Sequence, residues 1–180
     1  MKTTFKLGID ILQEQNFAPL AGKRVGLYTN ASGVDSKLHS TYDILWQAEN
    51  VNLVVLFAPE HGFAAVVQDA EHIYDMVDSR TGIPIFSLYG DTFEPTEEML
   101  SQVDAVVIDI QDIGVRYYTF MWTMTYVLEA CGKHDVEVLI LDRPNPLGKW
   151  QIQPVLDVTM SSFVGRFPVL IHIYEPTRPY

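Results

Sequence analysis

Glu60 and His61 stand side by side in Ala58-Pro59-Glu60-His61-Gly62-Phe63, an acid and an imidazole carried on a turn between Pro and Gly. Two more acid-bearing tips follow, Asp109 with Asp112, and Asp142 beside Arg143 in Asp142-Arg143-Pro144-Asn145-Pro146. Each ends an apolar run of the kind that forms a buried strand. In an open α/β sheet such tips share the edge where ligands bind. Carboxylates facing one another across a cleft suit glycoside hydrolysis, in which one acid protonates the glycosidic oxygen while another group attacks or stabilises the anomeric carbon. Arg116, Tyr117 and Tyr118 enter the same edge, with Trp122 behind them. The competing structural roles are plain: Asp112 is equally suited to capping the next helix, and Asp142 with Arg143 to ordering a Pro-rich turn. His61, Asp109 and Asp112 can also be drawn together as a metal site, which makes a metal-dependent hydrolase an alternative, but no H-E-x-x-H spacing supports it.

Positioning these groups falls to five apolar strands, expected at 23–28, 51–57, 83–89, 103–110 and 136–141, alternating with helices. That pattern predicts an α/β fold in three layers, with a mainly parallel sheet of about five strands covered on both faces. A short helix carrying Ile9, Leu12 and Phe17 precedes the first strand and ends near Pro19. Thr29-Asn30-Ala31-Ser32-Gly33 turns out of that strand into a helix capped by Asp35 or Ser36, with Leu38, Tyr42, Leu45 and Trp46 as its apolar stripe. Residues 64–82 read as a long functional loop with room for one helical turn. Another short helix opens at Pro95 with Glu97 and Glu98 in its first turn. The aromatic helix from about 117 is read as core, exposed only in its first turn, with Gly132 as its left-handed C-cap.

Bulk properties exclude several classes. Twelve Lys and Arg against 23 Asp and Glu leave a net charge of −11, so no nucleic acid partner is expected. A single cysteine, Cys131, forms neither an intramolecular disulfide nor a thiolate metal cluster and is read as a core residue. Neither G-x-x-x-x-G-K-[ST] nor G-x-G-x-x-G occurs, so nucleotide binding has no motif. The start of the chain has no apolar secretory region, which makes the cytoplasm the expected location. The longest apolar stretch, 117–130, falls short of a membrane span.

Taken in order, the stretches Gly8-Ile9-Asp10, Gly22-Lys23-Arg24-Val25-Gly26-Leu27, Asn30-Ala31-Ser32-Gly33-Val34-Asp35, Pro59-Glu60-His61-Gly62-Phe63, Ser87-Leu88-Tyr89-Gly90, the run from Asp109 through Gln111, Asp112 and Gly114 to Arg116, Tyr118-Thr119, Leu141-Asp142-Arg143-Pro144-Asn145-Pro146 and Ser162-Phe163-Val164-Gly165-Arg166-Phe167-Pro168 resemble the bacterial exo-β-N-acetylmuramidases, glycoside hydrolase family 171. That family removes N-acetylmuramic acid from the non-reducing ends of peptidoglycan fragments during cell-wall turnover. The resemblance implies a Rossmann-like catalytic domain over 1–168, no cofactor, and a sugar partner such as N-acetylmuramic acid linked to N-acetylglucosamine (MurNAc-GlcNAc). It also admits export. Carried over by position, it implies Glu60 and His61 as catalytic residues, Glu60 being the general acid or base. Asn30, Asp109, Asp112, Arg116, Tyr118, Asp142 and Arg143 are its implied substrate-binding residues.

Three departures accompany the resemblance. Phe63-Ala64-Ala65 stands where the family often has Phe-Arg-Gly, which removes a basic contact to an acidic sugar, and Gln153 stands where a Gly usually precedes Pro154-Val155-Leu156. Residues 169–180 read as a divergent tail, so the smaller C-terminal subdomain that shares the family's cleft is expected to be missing. A truncated product with a half-cleft open to water is the resulting expectation. The alternatives to a working glycosidase are a non-catalytic sugar-binding half-domain, an inactive remnant, or a half completed by a separately encoded C-terminal part.

Overall fold

The computed structural model describes residues 5–63, 75–115 and 117–148, together with 157, 159, 161, 162, 165 and 166. Six strands form one sheet: β1 (Arg24–Thr29), β2 (Asn52–Ala58), β3 (Met76–Val77), β4 (Pro84–Ser87), β5 (Ala105–Asp109) and β6 (Glu137–Ile140). Their order is β3-β4-β2-β1-β5-β6. Every neighbouring pair is parallel except β3 with β4, which is antiparallel. The expected mainly parallel sheet is therefore present, with one strand more than anticipated. That strand comes from the segment read as a loop, where Met76 pairs with Ile85 and Val77 with Pro84 at the exposed sheet edge. Two residues are too few to show an alternating pattern in the sequence.

Successive residues of the central strands bury into opposite faces, as the period of two requires. Val25, Leu27, Leu56, Ala58 and Val107 join Ile9, Leu12, Tyr42 and Leu45 in one core. Tyr28, Val55, Phe57, Val106 and Ile108 join Leu100, Phe120, Val127 and Cys131 in the other. The first core is covered by α1 (Gly8–Glu14) and α2 (Thr41–Gln47), the second by α3 (Glu97–Leu100) and α4 (Thr119–Lys133). This gives the three layers. Thr96 caps α3 by accepting the Met99 N–H, and Glu97 and Glu98 occupy its first turn. The helix α4 is core, with Trp122 and Val127 essentially inaccessible. Burial pushes the Cys131 thiol up to about 11, which leaves it an inert core group. Among the described residues, no helix is long and apolar enough to cross a membrane.

Three local expectations are corrected. The helix after β1 starts at Thr41, because the Asp35 side chain is spent on a loop: its Oδ1 accepts the N–H groups of Lys37 at 2.8 Å and His39 at 2.7 Å. Leu38 consequently leaves the stripe, at φ +67° and 79% exposed. Gly132 lies inside α4, and the left-handed residue after the helix is Asp135. Asp112 does not cap α4 either, since Tyr118 is the N-cap and Asp112 accepts the N–H of Gly114 instead.

Candidate functional site

The chain runs β1, β2, β4 to one side of the sheet and then crosses to β5 and β6 on the other. The strand order thus reverses between β1 and β5, which is where open α/β sheets bind ligands at their carboxyl edge. All five parallel strands deliver their carboxyl ends to that edge, so the tips bearing Asn30, Glu60, Asp112 and Asp142 share it as expected.

At the tip of β2 the backbone turns sharply. Gly62 donates its N–H to Pro59 O at 3.0 Å, while His61 and Gly62 both take left-handed conformations, with φ +68° and +74°. Such a conformation costs a non-glycine residue roughly 1–2 kcal/mol and persists only where surroundings impose it. The first turn of α4 forms part of those surroundings. Glu60 Oε2 accepts a hydrogen bond from Thr119 Oγ1 at 2.6 Å. The His61 ring meets Phe120 edge to face with centroids 6.2 Å apart, and Tyr118 packs on Phe120 at 4.5 Å. Burial, and then the charge of Asp112, pushes the Tyr118 hydroxyl up from its ordinary value, which keeps it a protonated donor. Glu60, His61 and Tyr118 are therefore gathered around Thr119-Phe120. On the other side of the turn, Phe63 stands edge-on to Tyr42 of α2 at 5.2 Å.

Asp109 and Arg143 go elsewhere. Arg143 donates from Nε to Asp109 Oδ1 at 2.6 Å and from Nη2 to Oδ2 at 2.9 Å, and the two side chains are 5% and 1% exposed. Thr41 also donates to Asp109 Oδ2, and Arg143 reaches Val34 O at 2.7 Å. The structure brings this pair to each other inside the protein, beneath the edge, where it ties β5, the loop before α2 and the turn after β6 together. Asn30 also works within the scaffold: its Oδ1 accepts from Ser32 N and Oγ, and Ser32 Oγ accepts the Gln111 N–H at 3.0 Å. Asp142 is exposed and accepts the Arg143 N–H at 2.9 Å, which is the turn-ordering role. Arg116 lies outside the described residues.

Thr119 and Gln111 are polar residues at the strand tips that residue-type reasoning passed over. Gln111 Nε2 donates to Asp112 O at 2.6 Å and to Pro144 O at 2.9 Å, which locks the β5 tip to the Pro-rich turn. Both residues lay within the quoted stretches, and that was the available signal. Asp109 being committed to Arg143, His61 and Asp112 lack the third ligand that the metal reading assigned them; among the described residues no three His, Cys, Asp or Glu side chains converge as a metal requires. A cleft of about 730 Å³ opens beside α2, lined by Phe17, Leu38, Ser40 and Ile44, but it contains none of the strand-tip groups.

Residues 25–173 match the family model described as Exo-beta-N-acetylmuramidase NamZ, N-terminal. The chain belongs to that family. It is 43% identical over 169 residues to the peptidoglycan beta-N-acetylmuramidase NamZ of Bacillus subtilis (strain 168), a match covering 93% of this chain and 41% of that protein. The crystal structure of a DUF1343 family protein from Bacteroides fragilis NCTC 9343 superposes with a TM-score of 0.84 at 49% identity, over 92% of this chain and 41% of the other. A second DUF1343 protein from the same organism gives 0.76 at 35% identity, over 92% and 42%. The resemblance read from the sequence is thus shown for the N-terminal portion, and so is the α/β fold. The chain spans about two fifths of the length of each of these relatives.

Proposed function

We propose that this chain carries the acid-bearing part of a glycosidase site that removes N-acetylmuramic acid from the non-reducing end of peptidoglycan fragments. One observation carries the reading: the Glu60 carboxylate stands at a sheet tip, fixed by Thr119 and flanked by His61 against an aromatic wall. Membership of the NamZ family supports the same chemistry. In this reading Glu60 is the general acid, passing a proton to the glycosidic oxygen as the bond to the anomeric carbon breaks. The half-buried Tyr118 faces the sugar from α4, and Asp112 and Asp142 bind it from the neighbouring tips. Asp109, Arg143 and Asn30 serve the site from below by fixing those tips. The sugar is MurNAc-GlcNAc or a longer fragment with the same end.

The test is incubation of the folded chain with MurNAc-GlcNAc and detection of free N-acetylmuramic acid by mass spectrometry, beside Glu60→Gln. The substitution keeps size and hydrogen bonding but removes the transferable proton. It is expected to lower release by at least about a hundredfold, the usual contribution of a general acid. Sugar bound but never cleaved by the wild-type chain would contradict the reading and leave a sugar-binding module in its place.

A further inference from the structure

We propose that Thr119 is a positioning residue for Glu60, its hydroxyl holding Oε2 so that Oε1 is the oxygen that exchanges a proton with the glycosidic bond. The assignment deepens the muramidase reading and rests on it. Thr119 is the first residue of α4 and only 8% exposed. As the first residue of α4, Thr119 has no carbonyl of its own helix one turn behind it, so its hydroxyl is open to a partner on another element. It reaches across the sheet edge to such an element, where it meets Oε2 at 2.6 Å.

That bond suits a catalytic acid in both of its states. Oε2 accepts from a hydroxyl whether the proton sits on Oε1 or has left, so Thr119 keeps its grip through the reaction. With Oε2 engaged, Oε1 is left to face the substrate. In the step itself the Oε1–H bond breaks and the proton goes to the glycosidic oxygen. The electron pair of the C1–O bond goes to that same oxygen, and water supplies the hydroxyl group that ends on C1 and releases a proton to solvent, from which Glu60 is reprotonated. Phe120, next in the helix, holds His61 through ring contact, so two consecutive residues of α4 fix both members of the Glu60-His61 pair.

Two readouts on Thr119→Val and Thr119→Ser test this. Val keeps the shape and loses the hydroxyl, whereas Ser keeps the hydroxyl. Turnover of MurNAc-GlcNAc is expected to fall roughly 10- to 100-fold in Thr119→Val through kcat, the cost of misplacing a reacting group, with KM changed less than about twofold and activity restored in Thr119→Ser. The second readout needs no activity: NMR relaxation of the Glu60 side-chain carbons in the sugar-free chain, expected to be ordered in wild type and Thr119→Ser and loosened in Thr119→Val. Loosening in Thr119→Val beside a wild-type chain that is ordered but shows no turnover would support the positioning of Glu60 while removing the muramidase reading. Equal order of Glu60 in a folded Thr119→Val chain overturns the assignment whatever the turnover, and Thr119→Ala is read by the same rule should Val fail to fold.

Discussion

Asp109 and Arg143, both expected as substrate-binding residues, show at the residue scale how two strand-tip groups can engage each other inside the protein. Both carboxylate oxygens of Asp109 are taken by Arg143, and the pair is buried. A buried pair contributes little beyond its own desolvation, but losing one partner strands a charge in the interior. Arg143→Met is therefore expected to lower unfolding stability by about 3–5 kcal/mol, measured by urea denaturation, and adding Asp109→Asn to it should recover part of the loss. A loss under about 1 kcal/mol would mean the pair is solvated. From the sequence, Asp109 and Asp112 look alike: each is an acid at the end of the same strand. What separates them is Arg143, 34 residues away, and no local pattern announces that pairing.

At the scale of elements, the loop from β1 to α2 decides how closely the strand tips approach. A Cβ on Gly33 would lie 2.1 Å from Thr29 Oγ1 and 2.9 Å from the backbone oxygen of Asp109, so only glycine lets the loop cross the β1 and β5 tips. Thr29 Oγ1 also donates to Asp109 O at 2.6 Å and has little freedom to move. Gly33→Ala is expected to cost about 1–3 kcal/mol, as overpacking does, seen as a lower thermal midpoint. The strands were legible because parallel strands buried on both faces read as continuous apolar runs. The start of α2 was not legible, because Asp35 offers the same chemistry to a loop as to a helix N-terminus. The pairing of Thr119 was invisible for a related reason: its type announces no chemistry, and only the β2 tip folded against α4 brings its hydroxyl to the Glu60 carboxylate.

Over the whole molecule, carboxylates held below their ordinary values make stability fall with acid. The hydrogen bond from the Arg24 guanidinium holds the Asp104 carboxyl down at about 2, well below its ordinary 3.8. Hydrogen bonds from Tyr42 and then Thr81 likewise lower Asp78. Groups whose folded form binds protons less readily than the unfolded form contribute stability that is complete above the unfolded value and is lost as pH falls through the folded one. The urea midpoint is thus expected to drop between about pH 4 and pH 2, and to drop less in Asp104→Asn. An unchanged slope in that variant would contradict the assignment. The fold as a whole was readable at the level of layers and strand direction, since alternation of strands and helices allows few other arrangements. The antiparallel β3 lay beyond that logic, and the expectations for 64–74, for Arg116 and for the tail from 169 fall outside the described residues.

The central claim is that Glu60 supplies the proton to the leaving oxygen, and the dependence on leaving group tests it most directly. A para-nitrophenyl leaving group departs with little help from an acid, whereas the sugar oxygen of MurNAc-GlcNAc needs protonation. Comparing kcat/KM for the para-nitrophenyl glycoside of N-acetylmuramic acid with that for MurNAc-GlcNAc, in wild type and Glu60→Gln, is the measurement of choice. The account predicts a loss on the natural linkage at least about tenfold greater than on the activated one. Equal losses on both substrates would contradict it and give Glu60 a role other than general acid.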